Sequence, residues 1–298
     1  MENNIRNLID GVYDIQKLRI ATGNRVVAAL RGIVESTDNA PKSEAQREKE
    51  QKEKDSILKK ILGEYNLITD AYVEIYKGHG SIVPAISDKG GEFIKTKVDY
   101  TLVEQYMKLK EAEDGLGKVV ESEVKQHPMW PAFFENVKGC GPLMSAVCLA
   151  YLDPHKARHA SSFWRYCGLD VVWDEDKQQM RGNGKWHTEM RTYISKKTGE
   201  EAEKKSLTYN PFVKTKLVEV LVGSFLKAGD NHYSRIYRDF RNRRAEMGDT
   251  PIQQHRRAAR YTAKMFLRDM WVVWREIEGL PVSEPYEVAK LGHAPHHS

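Results

Sequence analysis

Val137-Lys138-Gly139-Cys140-Gly141-Pro142-Leu143-Met144-Ser145-Ala146 is the stretch on which the reading of this chain turns. A hydrophobic residue leads into Gly-x-Gly, and a helix with a small residue five positions on follows. That pattern predicts a helix-hairpin-helix. The two glycines permit a tight, partly left-handed turn with no Cβ in the way. The helix from Leu143 to Leu152 would present unpaired N–H groups and a positive dipole end to a phosphate. Such contacts position a protein on nucleic acid without reading its sequence. The competing reading is a plain structural turn between helices. A dinucleotide loop is disfavoured, because Pro131-Ala132-Phe133-Phe134-Glu135-Asn136 looks like a short helix rather than a strand and Met144 stands where a third glycine would fall.

Outward from this turn the chain reads as mainly α. Ile5, Leu8, Ile9, Val12, Ile15 and Leu18, then Val26, Val27, Leu30 and Val34, recur at helical steps. Lys42 to Lys54 is almost wholly charged, and a stripe resumes at Ile57, Ile61, Tyr65, Ile68, Tyr72 and Ile75. Gly78 to Gly91 breaks the pattern, and Leu102, Tyr106, Leu109, Ala112, Leu116 and Val119 form a third stripe. These segments read equally as coiled-coil arms that set a homo-oligomer or as an intramolecular bundle. His127-Pro128 marks a boundary, because the residue before proline is pushed out of helical geometry. The expected domains are 1–126, a helical arm or coiled-coil region, and 127–298, the helix-hairpin-helix domain.

Within the second domain, Ala160 to Asp170 reads as a capped helix ending at Gly168. Val171 to Lys205 is polar, with a turn at Arg181-Gly182-Asn183-Gly184, and predicts a hairpin or long loop. Helical pattern returns at Pro211–Lys227, Asn231–Arg244 and about Pro251–Glu278. In the last of these, Ala259, Ala263, Leu267, Met270, Trp274 and Ile277 form an apolar stripe. Arg257, Arg260, Lys264, Arg268 and Arg275 form a basic one that no acid interrupts until Asp269.

The 298 residues and 40% hydrophobic content suffice for one large or two ordinary domains. The longest apolar runs are too short to span a bilayer, and the first residues carry no basic-then-apolar leader, so the expectation is a cytoplasmic protein with no membrane partner. Cys140, Cys148 and Cys167 lack CxxC spacing and read as free, buried thiols. The net charge of +5 is modest, but its distribution is uneven: ten cations from Arg235 to Arg268 face only Asp239, Glu246, Asp249 and, at the far end, none before Arg268. That is the footprint expected of a phosphate-binding surface.

The order of these elements from about Phe133 onward resembles the insertion-sequence transposases that work with a bridging RNA. Val137 to Pro142 resembles that family's helix-hairpin-helix turn, and Tyr166-Cys167-Gly168-Leu169 its Tyr-x-Gly-Leu signature. Lys204-Lys205 with Asn210–Leu217, the Tyr-rich helix Tyr233–Arg244, and Arg256-Arg257-Ala258-Ala259-Arg260 through Lys264-Met265-Phe266-Leu267 complete the match. The helices before Lys125 resemble the family's coiled-coil insertion. The resemblance implies DNA recombination or transposition, with double-stranded DNA as partner and structured RNA as a second polyanion. Family members carry an N-terminal RNase H-like domain with four metal-holding acids. This sequence opens in the arm-like region, so the expectation is that the domain is absent.

The family also places a nucleophilic serine after the Gly-Leu signature, whereas Asp174 to Gly182 contains none. Ser195 and Ser206, each beside lysines, are the displaced candidates. Asp170, Asp174, Glu175 and Asp176 offer carboxylates that could hold Mg2+, with Asp174 and Asp176 the metal candidates; Asp10 and Asp14 form an exposed helical pair, and the tail from Gly292 to His297 adds histidines. No cofactor is firmly implied. The expected nucleic-acid contacts are Lys138, Gly139, Cys140, Gly141 and Leu143 on one side and Arg257, Arg260, Lys264 and Arg268 on the other. The rival readings are an active transposase or nuclease, and a coiled-coil scaffold whose basic face meets an acidic protein.

Overall fold

The structure, a computed structural model, describes residues 2–31, 44–75, 77–175, 178–182 and 188–282. It is mainly helical and divides into two compact units, Asp10–Val119 and Met1–Ile9 with Val120–Ser298. The break at His127-Pro128 is present as the end of a helix, but the unit boundaries fall inside two helices that run without interruption through positions 9 and 120.

The unit Asp10–Val119 is built from α1 (Glu2–Arg31), α2 (Glu44–Glu74), α3 (Val83–Lys89) and α4 (Lys97–Gln126). Val26 and Val27 of α1, Ile61, Tyr65 and Ile68 of α2, Ala85 and Ile86 of α3, and Val103 and Tyr106 of α4 share one core. The apolar stripes therefore close on one another inside a single chain, as the bundle reading requires. Stripe ends were over-extended by periodicity: Ile75 and Val119 are exposed. Glu64 holds the α3–α4 connection by accepting hydrogen bonds from the backbone N–H groups of Gly91, Phe93 and Ile94 at 2.7, 3.1 and 2.7 Å. A carboxylate with three aligned donors fixes a loop that has few apolar contacts of its own.

The second unit starts with Ile5 and Ile9 of α1, both buried, and continues from Val120 and Val124 of α4. It contains α5 (Met129–Ala132), a 3₁₀ turn (Phe134–Asn136), α6 (Pro142–Tyr151) and α7 (Ala160–Tyr166). Two antiparallel ladders follow. The first pairs β1 (Val171–Asp174) with β2 (Gln179–Gly182), and the second pairs β3 (Thr188–Ile194) with β4 (Glu201–Leu207), Thr188 opposite Leu207. The hairpin expected after Leu169 is thus present. α8 (Pro211–Thr215), a π-helical segment (Lys216–Leu221) and α9 (Val222–Lys227) form the next helical stretch, and α10 (His232–Glu246) and α11 (Pro251–Ile277) end the described fold.

α11 is the centre of this unit. Phe266, Met270, Trp271 and Trp274 are almost wholly buried, and from Ala258 onward burial extends well beyond the single apolar stripe. Ile277, assigned to that stripe by spacing, is 38% exposed. Two of the polar groups brought inside are matched: Trp271 Nε1 donates to Ala157 O at 2.8 Å, and Arg275, 5% exposed, donates to Pro154 O and Ala157 O at 2.7 and 3.1 Å, whereas the buried Trp274 Nε1 has no acceptor among the described residues. A buried guanidinium bonded to loop carbonyls is a structural clamp, which removes Arg275 from the basic row.

Candidate nucleic-acid interface

The Gly-x-Gly turn has the local geometry its sequence predicts. Gly139 adopts φ +92°, Cys140 N donates back to Val137 O at 3.0 Å, and α6 starts at Pro142 with Gly141 at the N-cap. Met144 N and Ser145 N both bond Gly141 O, at 3.0 and 3.1 Å. The N–H groups of Gly141 and Leu143 have no acceptor among the described residues. The arm before the turn is shorter than a regular helix, consisting of α5 and the 3₁₀ turn.

The two glycines serve different ends. A Cβ on Gly139 would lie 3.0 Å from the backbone of Ser224 and Phe225, so this residue lets the turn press against α9. Around Gly141 nothing lies within 4 Å of such a Cβ. Cys140 is 4% exposed, with Sγ 3.6 Å from Ser145 Oγ, and burial pushes its thiol up to about 12. The Cys140 side chain is therefore a packing group and not an exposed contact, a correction to the expected set, while Gly139, half-buried, packs its Cα side against α9. Lys138 is exposed and Leu143 half-buried, so the outward part of the turn is Lys138 with the backbone from Gly141 to Leu143.

The basic row of α11 also needs correction. Arg257 is exposed and donates to both carboxylate oxygens of Asp249, at 2.9 and 3.0 Å. Arg260 is half-buried and donates to Gly168 O at 3.1 Å; desolvation lowers its pKa, opposed by the Asp170 charge. Lys264 sits 4.8 Å above the Trp164 ring, whose Nε1 donates to Lys264 O at 3.1 Å. Arg268 is held by Asp269 at 2.8 Å. These four residues share a helical face as the spacing predicts. Arg260 and Lys264, however, are engaged by Gly168 and Trp164, and Arg268 by Asp269, so these three are less available than the exposed Arg257.

The exposed cations lie one element earlier, on the hairpin formed by α10 and α11. The chain from Asp230 to Arg257 holds seven arginines and four acids. Asp230 holds both Arg235 and Arg238, and Asp249 holds both Arg244 and Arg257, so each carboxylate leaves one positive charge over. Arg241, Arg243 and Arg256 are exposed and have no acid partner among the described residues. Arg243 lies 5.4 Å over the Phe240 ring, which stacks on Tyr261 at 4.2 Å. Tyr237 Oη and His255 Nδ1 are 2.6 Å apart across the hairpin. Burial raises the Tyr237 pKa, and Arg241 pulls it back. Near the α10 N-terminus a cleft of ≈450 Å³ is lined by Phe133, Asn136, Lys138, Asp230, His232 and Arg235. It sets Lys138 beside the first turn of α10, where Arg235 is already held by Asp230.

The sequence footprint from Arg235 to Arg268 includes this hairpin, but the contact set drawn from it favoured α11, which alone carries the longer basic stripe. The signal was present in the turn itself: Gly248 at positive φ and Thr250-Pro251 at the start of α11 fold the two Arg-rich segments side by side. A row of cations on one helix counts only where its face is left open.

The catalytic candidates are not brought together. Ser195 Oγ accepts from Lys197 N and Thr198 N at 3.3 and 3.4 Å, closing the β3–β4 turn. Ser206, next to the end of β4 and opposite Glu189, donates to Lys204 O at 3.4 Å. No basic side chain bonds either hydroxyl among the described residues. Asp174 pairs with Gln179 in the ladder, while Asp176 lies outside the described residues, as do the tail histidines. The Asp170 charge acts on Arg260 and Lys214, and Asp10 and Asp14 are exposed on α1. Among the described residues no group of three His, Cys, Asp or Glu is arranged to hold a metal ion.

Around the Tyr166-Cys167-Gly168-Leu169 signature the structure adds residues that spacing did not single out. Gly168, at φ +60°, closes α7 with Leu169 N bonded to Trp164 O at 2.8 Å, a Schellman end, and its missing Cβ makes room for the Tyr209 ring. Asn210 N donates to Tyr166 O at 2.8 Å and Asn210 Nδ2 to Tyr166 Oη at 3.1 Å. Lys214 lies 4.5 Å over Tyr209, its pKa lowered by burial and by the Arg260 charge. No helix of the described chain is long and apolar enough to cross a membrane. Comparison of the chain with family models, curated proteins and solved structures finds no match.

Proposed function

We propose that this chain is a DNA-binding protein related to insertion-sequence transposases, gripping duplex backbone. The observation that carries the reading is the α10–α11 hairpin, where Arg241, Arg243 and Arg256 stand exposed with no acid partner among the described residues. Cations left over after intramolecular pairing are the ones whose counterions phosphate can displace. Exposed Lys138 and the Gly141 and Leu143 N–H groups of the Gly-x-Gly turn offer a second set of donors for a phosphate oxygen. The order of turn, Tyr-x-Gly-Leu helix and Arg-rich hairpin supports the relation to DNA recombination. Structured RNA presents the same phosphates and is the second polyanion to test.

The experiment is binding to labelled duplex DNA across a salt series, for the parent, the pair Arg241→Glu with Arg256→Glu, and Gly141→Asp. The parent binds with a steep salt dependence, and each lost phosphate contact flattens the slope of log K against log salt by about 0.9. Both variants bind weakly. By contrast, Arg268→Gln, which alters a cation already held by Asp269, changes binding little. Equal binding of duplex, RNA hairpin and heparin of matched charge would turn the reading towards an acidic protein partner. Parent and variants binding alike would refute the hairpin as the site.

A further inference from the structure

The β3–β4 ribbon has no core. Six of the seven β3 residues are exposed, and Met190, Ile194 and Leu207, which share one face by the register, are 58%, 69% and 41% exposed. A lone two-stranded ribbon is marginal in water, and three or more strands are needed for independent stability. Among the described residues β3 pairs with β4 alone, so its other edge from Glu189 to Ile194, where the side chains are exposed, presents backbone donors and acceptors to a further strand.

The charge pattern of that edge identifies the strand. Glu189 and Arg191 flank Met190 on one face of the ribbon and bond each other at 2.5 Å. We propose that β3 pairs antiparallel with β3 of a second copy of this chain, Met190 on the two-fold axis. Glu189 then faces Arg191 of the second copy and Arg191 faces its Glu189, giving four charges alternating around a square. On the opposite face Met190 meets its own copy. Centring the pair on Glu189 or Arg191 would set like charges opposite each other, which is destabilising. The product is a four-stranded sheet, β4-β3-β3-β4. Duplex DNA is the poorer occupant, because Glu189, Glu200, Glu201 and Glu203 stand among the ribbon's cations. The central residues of the helical stripes that suggested self-association by sequence share a core within one chain, and this edge is a separate surface.

The test is the mass of the full chain in solution, by sedimentation and light scattering over a concentration series. The parent forms a dimer of the 34.3 kDa chain. Glu189→Arg alone, or Arg191→Glu alone, places like charges opposite one another and weakens dimerisation about tenfold or more, and the double exchange restores it. Because a single exchange also breaks the pair within the strand, Met190→Cys provides an independent readout. Oxidation links it to its own copy, while Tyr193→Cys, off the axis, links slowly; the three natural thiols are buried and stay silent. A monomeric parent at every concentration, single exchanges without effect, or equal linking at both positions overturns the proposal. DNA binding is read in the same variants and stays at the parent level per chain, so failure here is distinct from failure of the DNA-binding reading.

Discussion

At the scale of single residues, the two glycines of the Gly-x-Gly turn separate structure from function. Gly139→Ala forces a side chain into φ +92° against the Ser224 and Phe225 backbone and is expected to destabilise by about 1–3 kcal/mol. Gly141→Ala, at ordinary φ with open space around it, costs less than about 1 kcal/mol. Urea midpoints of the two variants check the contrast. His127 supplies a pH dependence. It is 8% exposed, and its Nδ1 accepts the Met129 N–H at 3.2 Å, which only the unprotonated ring can do. Burial lowers its pKa below 6.5, against a smaller pull from Glu278. The unfolded chain therefore binds the proton more readily, and the contribution is whole above pH 6.5 and lost as pH falls below it. His127→Gln should flatten that part of the stability profile, as urea titrations on either side of pH 6.5 will show. The turn's backbone was legible from sequence because glycine spacing encodes dihedral angles. What Gly139 faces was not, since its neighbours Ser224 and Phe225 are distant in the chain.

At the scale of elements, the α10–α11 hairpin separates folding from binding. Thr250 and Gln253 form a capping box, Gln253 Oε1 accepting from Thr250 N at 3.0 Å and Thr250 Oγ1 from Gln253 N at 3.4 Å. Thr250→Ala should cost about 1 kcal/mol in stability and leave the intrinsic affinity for DNA unchanged. Exposed-arginine changes such as Arg256→Glu should do the reverse. Thermal unfolding and binding, measured on the same samples, check both. Helix positions were largely readable, because periodicity, Pro at the first turn and Gly after the last are local. Which face of α11 is open was not local. Arg260 and Lys264 sit on the predicted basic stripe, yet Gly168 and Trp164 cover them from a helix about a hundred residues earlier. Burial of Arg275 shows the same limit: a cation in a periodic row is indistinguishable in sequence from one that clamps a loop.

At the scale of the whole molecule, the compact units do not follow chain order. The first nine residues belong with the unit that resumes at Val120. Ile5 and Ile9, 2% and 0% exposed, are part of its core, so Ile5→Ala and Ile9→Ala should each cost about 2–5 kcal/mol. Hydrogen exchange should then show lost protection in α6 and α7, not only in the bundle. A fragment starting at the sequence-predicted boundary, residue 127, would lack these side chains altogether. A different freedom follows from the paired hydrogen bonds of Tyr166 and Asn210. They tie together the points where the chain leaves the helices and where it comes back, so the two ladders, β1–β2 and β3–β4, are an excursion from a closed gate. The closure cost of such an excursion grows only logarithmically, about 0.6 kcal/mol per doubling of length. This makes the segment an interchangeable cassette: a lineage can lengthen it, replace its strands or exchange its chemistry while the helices beneath inherit no change, and a designer can graft there for the same reason.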